Sequence, residues 1–400
     1  MQRYLVSASC IDGFRSQESP EGWIIHMVVK ESTQTHRSGN KEKHRNYPFI
    51  SVIVPVRNEA EQIGTTLSQL VNQEYPSDSY EIIVADGRST DDTRDRVMQL
   101  ASRHRIIRLI DNPRRWSSAG RNAAIRAARG DYVLLIDGHC EIRNRNYLSD
   151  LADDFMATGA DCIGRPQSLE VTGASRIQQA IAVARSCWLG HHPASHIYSH
   201  QSGFVPPESV AVAYRRSIFT GVGLFDERFD ACEDYEFNHR IAKAGMRCYF
   251  SARLEVHYHP RRSLSGLYHQ MIRYGRGRVR LLRKHPETFS LASLAPAGFL
   301  MGLILGPIMA IFWTILWIPY VIAIVIYLII VLAVSIQLSI HNCSFELMLL
   351  LPQVFATLHA GAGVGVLWEL IIGKSVDVET PIPANIFSRK KPISEQSKEL

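Results

Sequence analysis

From Leu291 to Ile340 the chain contains no Asp, Glu, Lys or Arg. A charge-free stretch of that length cannot coat a soluble domain, and about 20 such residues already cross a bilayer as a helix. Charged residues are frequent up to Pro286, so the chain reads as a soluble domain followed by a membrane region. Ala297 to Gln337 fits two spans joined near Ile318-Pro319 better than one. A further apolar stretch, Phe345 to Ile372, contains Glu346, His359 and Glu369 with Gly361, Gly363 and Gly365. It either spans or lies re-entrant or interfacial. Arg283 and Lys284 precede the first span, which predicts a cytoplasmic soluble domain by the positive-inside rule. Two spans return the tail around Arg389-Lys390-Lys391 to the same side, whereas a third would export it.

The formal net charge is +6, and much of it sits just before the apolar tract. There Leu264 to Lys284 reads as an amphipathic helix. Leu267, Met271, Ile272, Tyr274, Val279 and Leu282 oppose Arg273, Arg276, Arg278, Arg280, Arg283 and Lys284. Beside a membrane this predicts a basic interfacial helix (264–285) resting on anionic lipid, with no nucleic-acid partner. The seven cysteines are odd in number and form no C-x-x-C pair, so neither a disulfide framework nor a zinc module is expected. Residues 1–46 show no signal-peptide pattern and read as a poorly ordered polar extension.

Between these regions apolar runs and helical spacings alternate. Ile50–Val54 reads as a strand stopping at Pro55, and Glu59–Gln73 as a helix. The strand Glu81–Ala85 ends at Asp86-Gly87, and a helix follows over Asp92–Ser102. Arg105–Ile110 is a strand, and Ser118–Arg129 an Ala-rich helix closed by Gly130. Tyr132–Ile136 then runs into Asp137-Gly138-His139. This alternation predicts a mostly parallel sheet with helices on both faces. It also puts Asp86 and Asp137 at carboxyl ends of strands, where open sheets bind ligands. Asp137-Gly138-His139 is then either a polar turn or a metal or phosphate site. The chain lacks both a G-x-G-x-x-G after the first strand and a P-loop lysine, which argues against dinucleotide and P-loop chemistry. Further on, Val210–Tyr214 reads as a strand, Phe225–Asp234 as an acid-rich loop, and Tyr235–Ala244 as a helix closed by Gly245. Met246–Phe250 and Leu254–Tyr258 are strands of mixed direction, while Leu169–Gln201 suggests no element.

The segments SVIVPVRNEAEQI, EIIVADGRSTDDT, SAGRNAAIRAARGDYVLLIDGH, CEDYEFNHRI and QMIRYGRGRVRLLRKHP occur in that order. Together they resemble family 2 inverting glycosyltransferases with a GT-A fold, a mostly parallel sheet flanked by helices. The likeness is greatest to bacterial exopolysaccharide glycosyltransferases of the succinoglycan type, which carry D-G-H or D-A-H where most relatives have D-x-D. The likeness covers Phe49 to Gly373 and implies a GT-A domain over 47–288, a membrane region over 289–373 and a polar cytoplasmic tail over 374–400. It also implies three hydrophobic segments in a multi-pass protein of the inner (plasma) membrane.

Breaking an anomeric bond to a diphosphate develops negative charge, and the acceptor hydroxyl needs a general base. The resemblance implies that Pro55, Glu59, Asp86, Arg121 and Asp137 bind the nucleotide sugar, with Glu59 near the ribose. Asn122 stands beside Arg121 as a further donor, and Asp91 or Ser89 suits a helix N-cap. Asp137 and His139 are implied to hold Mg²⁺ or Mn²⁺, with His259 or His257 as a third ligand. Glu233-Asp234 matches a motif whose aspartate is the base. Gln270, Arg273 and Tyr274 match Q-x-x-R-W with Tyr for Trp, and are implied to bind acceptor or diphosphate. The expected partners are a UDP-sugar donor, a lipid-linked saccharide acceptor and membrane lipids. Alternatives are a processive polysaccharide synthase, a polyprenyl-phosphate sugar transferase, and a scaffold that binds nucleotide sugar without turnover.

Overall fold

The computed structural model describes residues 47–191 and 195–373. The expected extension 1–46 and tail 374–400 lie outside the described residues. The strands are β1 (Ile50–Val56), β2 (Tyr80–Asp86), β3 (Ile107–Asp111), β4 (Tyr132–Leu135), β5 (Cys140–Glu141), β6 (Cys162–Gly164), β7 (Gln167–Leu169), β8 (Gly203–Val205), β9 (Ala211–Arg215), β10 (Cys248–Phe250) and β11 (Val256–Tyr258). The helices are α1 (Ile63–Val71), α2 (Thr93–Arg103), α3 (Ser117–Ala127), α4 (Tyr147–Thr158), α5 (Arg176–Ser186), α6 (Ser217–Gly221), α7 (Glu233–Lys243), α8 (Leu264–Lys284), α9 (Leu291–Phe312), α10 (Trp317–His341) and α11 (Phe345–Ile372).

An eight-stranded sheet has the order β3-β2-β1-β4-β9-β6-β10-β8. Its first four strands are parallel, as the β/α alternation predicts. Beyond β4 the sheet becomes mixed, because β9 runs antiparallel to both β4 and β6. A small sheet, β5-β11-β7, stands apart from the large one. The central strands are buried on both faces, so their side chains feed two cores in alternation. Ile50, Val52 and Val54 join Ile63, Leu67 and Leu70 of α1 and Leu151 and Phe155 of α4. Ile53 and Ile83 face the other way, toward Ala124 and Ile125 of α3 and Phe237 and Ile241 of α7. The two carboxyl-end acids are brought close because β1 lies between β2 and β4.

Some local expectations need correction. Gly130 does not close α3, which ends at Ala127 with Ala128 as its cap. Instead the Gly130 N–H donates to Ser51 Oγ at 2.8 Å, and a Cβ there would lie 2.5 Å from the Ser51 nitrogen. Gly245 does follow α7 in the left-handed region, at φ 70°. The stretch 169–201, whose pattern suggests no element, contains α5, whose capping box is formed by Ser175 and Gln178. The break in the apolar tract falls at Trp313 to Leu316, not at Ile318-Pro319. Pro319 sits in the first turn of α10, where a missing N–H removes no helix bond.

α9, the segment Thr314–His341 and α11 are each long and apolar enough to cross a membrane. α8 matches its predicted bounds, but its basic face is not left for lipid. Arg276 and Arg280 pair with Glu369, Arg280 also with Asp230, and Lys284 with Asp226 and Glu236. Arg273 donates to the Asp230 carbonyl, Arg283 to the Glu369 carbonyl, and Arg278 lies over the Tyr235 ring. The carboxylates that neutralise this helix come from the 226–230 loop, from α7 and from α11, which periodicity within 264–285 cannot reveal.

Candidate functional site

A cavity of about 760 Å³ opens beyond the carboxyl end of β4. Its wall brings together Glu59, Arg121, Asp137, His139, Glu233, Asp234, His259, Gln270, Arg273 and Tyr274. Motifs scattered from the first strand to α8 therefore share one space.

Arg121 is its electrostatic centre. The guanidinium rises from the buried side of α3, lies 3.0 Å from Glu233 and 3.5 Å from Asp137, and packs over the Phe225 ring. It thus joins the D-G-H turn to the start of α7. Its neighbour Asn122 does not reach the cavity. It closes a two-way pair with the Phe225 backbone at 2.8 and 2.9 Å, which pins the acid-rich loop to α3.

Burial alone would push the Asp137 carboxyl up, but Arg121, His139, the Tyr258 hydroxyl and Arg165 outweigh it and hold it below the ordinary range. Asp137 Oδ2 accepts from Tyr258 Oη at 2.9 Å. Glu59, expected near the ribose, is paired at 3.0 Å with His139 Nδ1. Burial pulls the His139 imidazole down, yet this bond and the Asp137 charge leave it above its ordinary value. A carboxylate on Nδ1 fixes the ring and leaves Nε2 as the ligating nitrogen, a common arrangement behind metal-bound histidines.

The residues present fit a divalent cation. Asp137 offers oxygen lone pairs beyond those used by Arg121 and Tyr258, and His139 offers an oriented imidazole. Carboxylate plus imidazole suits Mn²⁺, while Mg²⁺ favours oxygen. His259 lines the cavity, but its ligand atoms do not converge with those of Asp137 and His139. Among the described residues the one tight three-ligand cluster is His239, His285 and Glu287, none of which lines the cavity. His257 faces Glu255 instead.

Glu233 and Asp234 open α7 directly after Cys232, whose φ of 62° turns the chain into the helix. Burial, and then the charge of Asp234, push the Glu233 carboxyl up against the pull of Arg121. Asp234 is exposed toward the cavity, and one of its oxygens accepts from the Tyr235 N–H at 2.7 Å. Across the space, Gln270 Nε2 donates to Tyr274 Oη at 3.1 Å, and Arg273 holds the Asp230 carbonyl at 2.6 Å.

Asp86 and Pro55 do not line the cavity. The Asp86 carboxylate is buried and accepts from Ser89 Oγ at 2.6 Å and Arg94 Nη1 at 3.2 Å. Asp91 does line it, although its oxygens accept from Thr93 and from the Ala60 N–H. Sequence reasoning missed Tyr258 and Arg165. Arg165 is fully buried, bonded to the Tyr147 and Tyr258 hydroxyls, with its Nε unpartnered. The sole hint was Tyr258 in a predicted strand. Cys140 is inert, since burial pushes its thiol up to about 12.

The description "Glycosyl transferase family 2" matches residues 51–195, and "Glycosyl transferase family group 2" matches residues 132–334. Succinoglycan biosynthesis protein ExoA of Rhizobium meliloti (strain 1021) is 32% identical over 247 residues, 61% of this chain and 73% of that protein. A Methanococcus voltae protein named dolichyl N-acetyl-alpha-D-glucosaminyl phosphate 3-beta-D-2,3-diacetamido-2,3-dideoxy-beta-D-glucuronosyltransferase is 28% identical, over 64% of this chain and 80% of its own. Among solved structures, mannosyltransferase PcManGT from Pyrobaculum calidifontis, in complex with GDP-Man and Mn²⁺, is similar with a TM-score of 0.50. The identity is 21%, over 81% of this chain and 88% of that one.

Proposed function

The chain belongs to glycosyl transferase family 2, and from that premise we propose that it moves a sugar, with inversion, from a UDP-sugar to a hydroxyl of a lipid-linked saccharide. Its α/β domain has the GT-A fold. One observation carries the reading: Arg121 bridges Asp137 and Glu233, so the D-G-H turn and the Glu233-Asp234 pair face one cavity.

In this reading Asp234 is the general base. Its free oxygen takes the proton of the acceptor hydroxyl as that oxygen attacks the anomeric carbon. The bond to the diphosphate breaks on the opposite face, which inverts the centre. Asp137 and His139 would hold a divalent cation, which when bound neutralises charge on the diphosphate. Glu59 orients His139, and Arg121 keeps Asp137 ionised. Gln270, Arg273 and Tyr274 form the acceptor or diphosphate wall, while Asp91 and Glu59 lie on the nucleotide side. In this reading the enzyme sits in the inner (plasma) membrane with its GT-A domain cytoplasmic; the long apolar helices and Arg283 and Lys284 just before α9 support this. The names of the two relatives, which speak of succinoglycan and of a dolichyl-phosphate-linked sugar, support exopolysaccharide or cell-surface glycan synthesis.

The test is a panel of radiolabelled nucleotide sugars offered to native membranes with lipid extract, followed by analysis of the products. A UDP-sugar is expected to label a lipid-extractable saccharide with inverted anomeric configuration. Transfer from no donor in the panel defeats the reading, and retained configuration defeats the role of Asp234.

A further inference from the structure

We propose that α11 does not cross the bilayer but docks along the catalytic domain, where Glu369 acts as a positioning residue for the loop that carries Asp234. The positioning role rests on the function proposed above; the docking does not.

Contact along its whole length sets α11 apart from a span. In its first turn Glu346 pairs with Arg176 of α5 at 2.7 Å. Leu347, Leu351, Val354, Phe355 and Leu358 then share one apolar cluster with α5, with Leu267 and Met271 of α8, and with Val331 and Val334 of α10. Midway, His359 meets the Leu189 carbonyl at 3.2 Å. At the far end, Arg283 of α8 donates to the Glu369 carbonyl at 2.8 Å. A helix of 28 residues is roughly 42 Å long at 1.5 Å per residue, longer than the hydrocarbon core is thick. A helix held at its start, middle and end by one soluble domain cannot also thread the membrane. Its most apolar window is 39% buried within the chain, against 11% for α9 and 17% for Thr314–His341, and that burial is against α5 and α8 as well as against Ala297 of α9 and Val331 and Val334 of α10.

The packing against α8 is close and in register. A Cβ at Gly275 would collide with the Ala362 carbonyl, and one at Gly365 with the Ile272 carbonyl, so the two backbones touch. This contact brings Glu369, only 3% exposed, onto Arg276 at 3.0 Å and Arg280 at 2.8 Å. Arg280 reaches on to Asp230 Oδ1 at 2.6 Å, and Arg273 holds the carbonyl of the same residue at 2.6 Å. Asp230 begins the turn through Ala231 and Cys232 to Glu233-Asp234. At Gly277 a Cβ would lie 2.7 Å from the Ala231 carbonyl, so α8 lies directly on this turn. Glu369 is thus the counter-charge that lets Arg276 and Arg280 stay buried and hold Asp230. Without it, two guanidiniums would compete for one carboxylate or turn to water.

The experiment uses the full chain in native membranes. Glu369→Gln is expected to lower kcat about 10-fold or more while the donor KM stays within about twofold, because the base and not the donor site is displaced. Adding Arg280→Ala is expected to cause little further loss, as both act through Asp230. An unchanged kcat, or additive losses, overturns the positioning role. Topology is read separately, without any sugar donor. One cysteine at a time replaces Asn342, Lys374 or, as a catalytic-domain marker, Asp95, in a background with Cys10, Cys187, Cys232 and Cys343 changed to Ser and only the buried Cys140, Cys162 and Cys248 left, and sealed vesicles are treated with an impermeant maleimide. All three positions are expected to label from the same face. Labelling of position 374 from the opposite face overturns the docking, whether or not transfer is detected.

Discussion

Asp86 and Asp137 invite comparison. Each follows a buried parallel strand, the strands are separated only by β1, and both acids were expected in the ligand crevice. Asp86 is closed into a local network with Ser89 and Arg94 and does not line the cavity. Asp137 faces the cavity and is held by side chains from α3 and β11, Arg121 and Tyr258. The strand rule says where a carboxylate emerges. Whether it remains available depends on which cations reach it, and those come from elsewhere in the chain.

The contrast between a reacting flank and a structural flank makes testable predictions. The largest effect is expected at Asp234. Asp234→Asn retains shape but cannot take a proton, so turnover should fall roughly 10²-fold or more with donor binding preserved. Stopped turnover and equilibrium binding, measured on the same preparation, check this; near-normal turnover would move the base to Glu233. Asp137→Asn should come next, with a loss of about 10²-fold, and thorough chelation of the native enzyme should abolish transfer that Mn²⁺ or Mg²⁺ then restores. Activity surviving chelation would remove the metal role of Asp137 and His139.

A smaller effect is expected at Glu59, and it has a sign. His139 is held above its ordinary pKa by Glu59 and Asp137, so its imidazole keeps a proton to higher pH. Ligation needs the neutral ring, so metal activation should strengthen as pH rises through the His139 pKa. Glu59→Gln removes one of the two charges and should move the activation profile to lower pH. A profile that stays put, or moves up, breaks the Glu59–His139 assignment. The smallest catalytic effect should be at Asp86. Asp86→Asn is expected to destabilise the fold by about 1–2 kcal/mol through Arg94 and Ser89, with turnover within about threefold. Thermal unfolding and donor KM decide it. A donor KM raised tenfold at unchanged Tm would return Asp86 to the nucleotide and erase the contrast.

Much of the architecture could be read along the chain, because it rests on local rules. Short apolar runs and period-3.6 patterns located β1 to β4 and α1 to α3, and the bounds of α8. The lack of charge over Leu291–Ile340 marked a stretch whose helices are long and apolar enough to cross a membrane. Glu59, Asp137, Glu233, Asp234, Arg121 and the Gln270–Tyr274 face were each identifiable by residue type and order, and the fold gathers them, but not Asp86, around one cavity. What could not be read depends on partners far apart in sequence. Glu59 meets His139 across the crevice, Asn122 turns to Phe225, Tyr258 reaches Asp137 from β11, and Arg165, between β6 and β7, bonds to the Tyr258 hydroxyl behind it. The basic row of α8 looked like a lipid-facing stripe until Asp226, Asp230, Glu236 and Glu369 were seen opposite it. Hydrophobic periodicity is a property of one segment and survives in any context. Charge pairing is a property of two, and only the packed chain brings the second segment within reach.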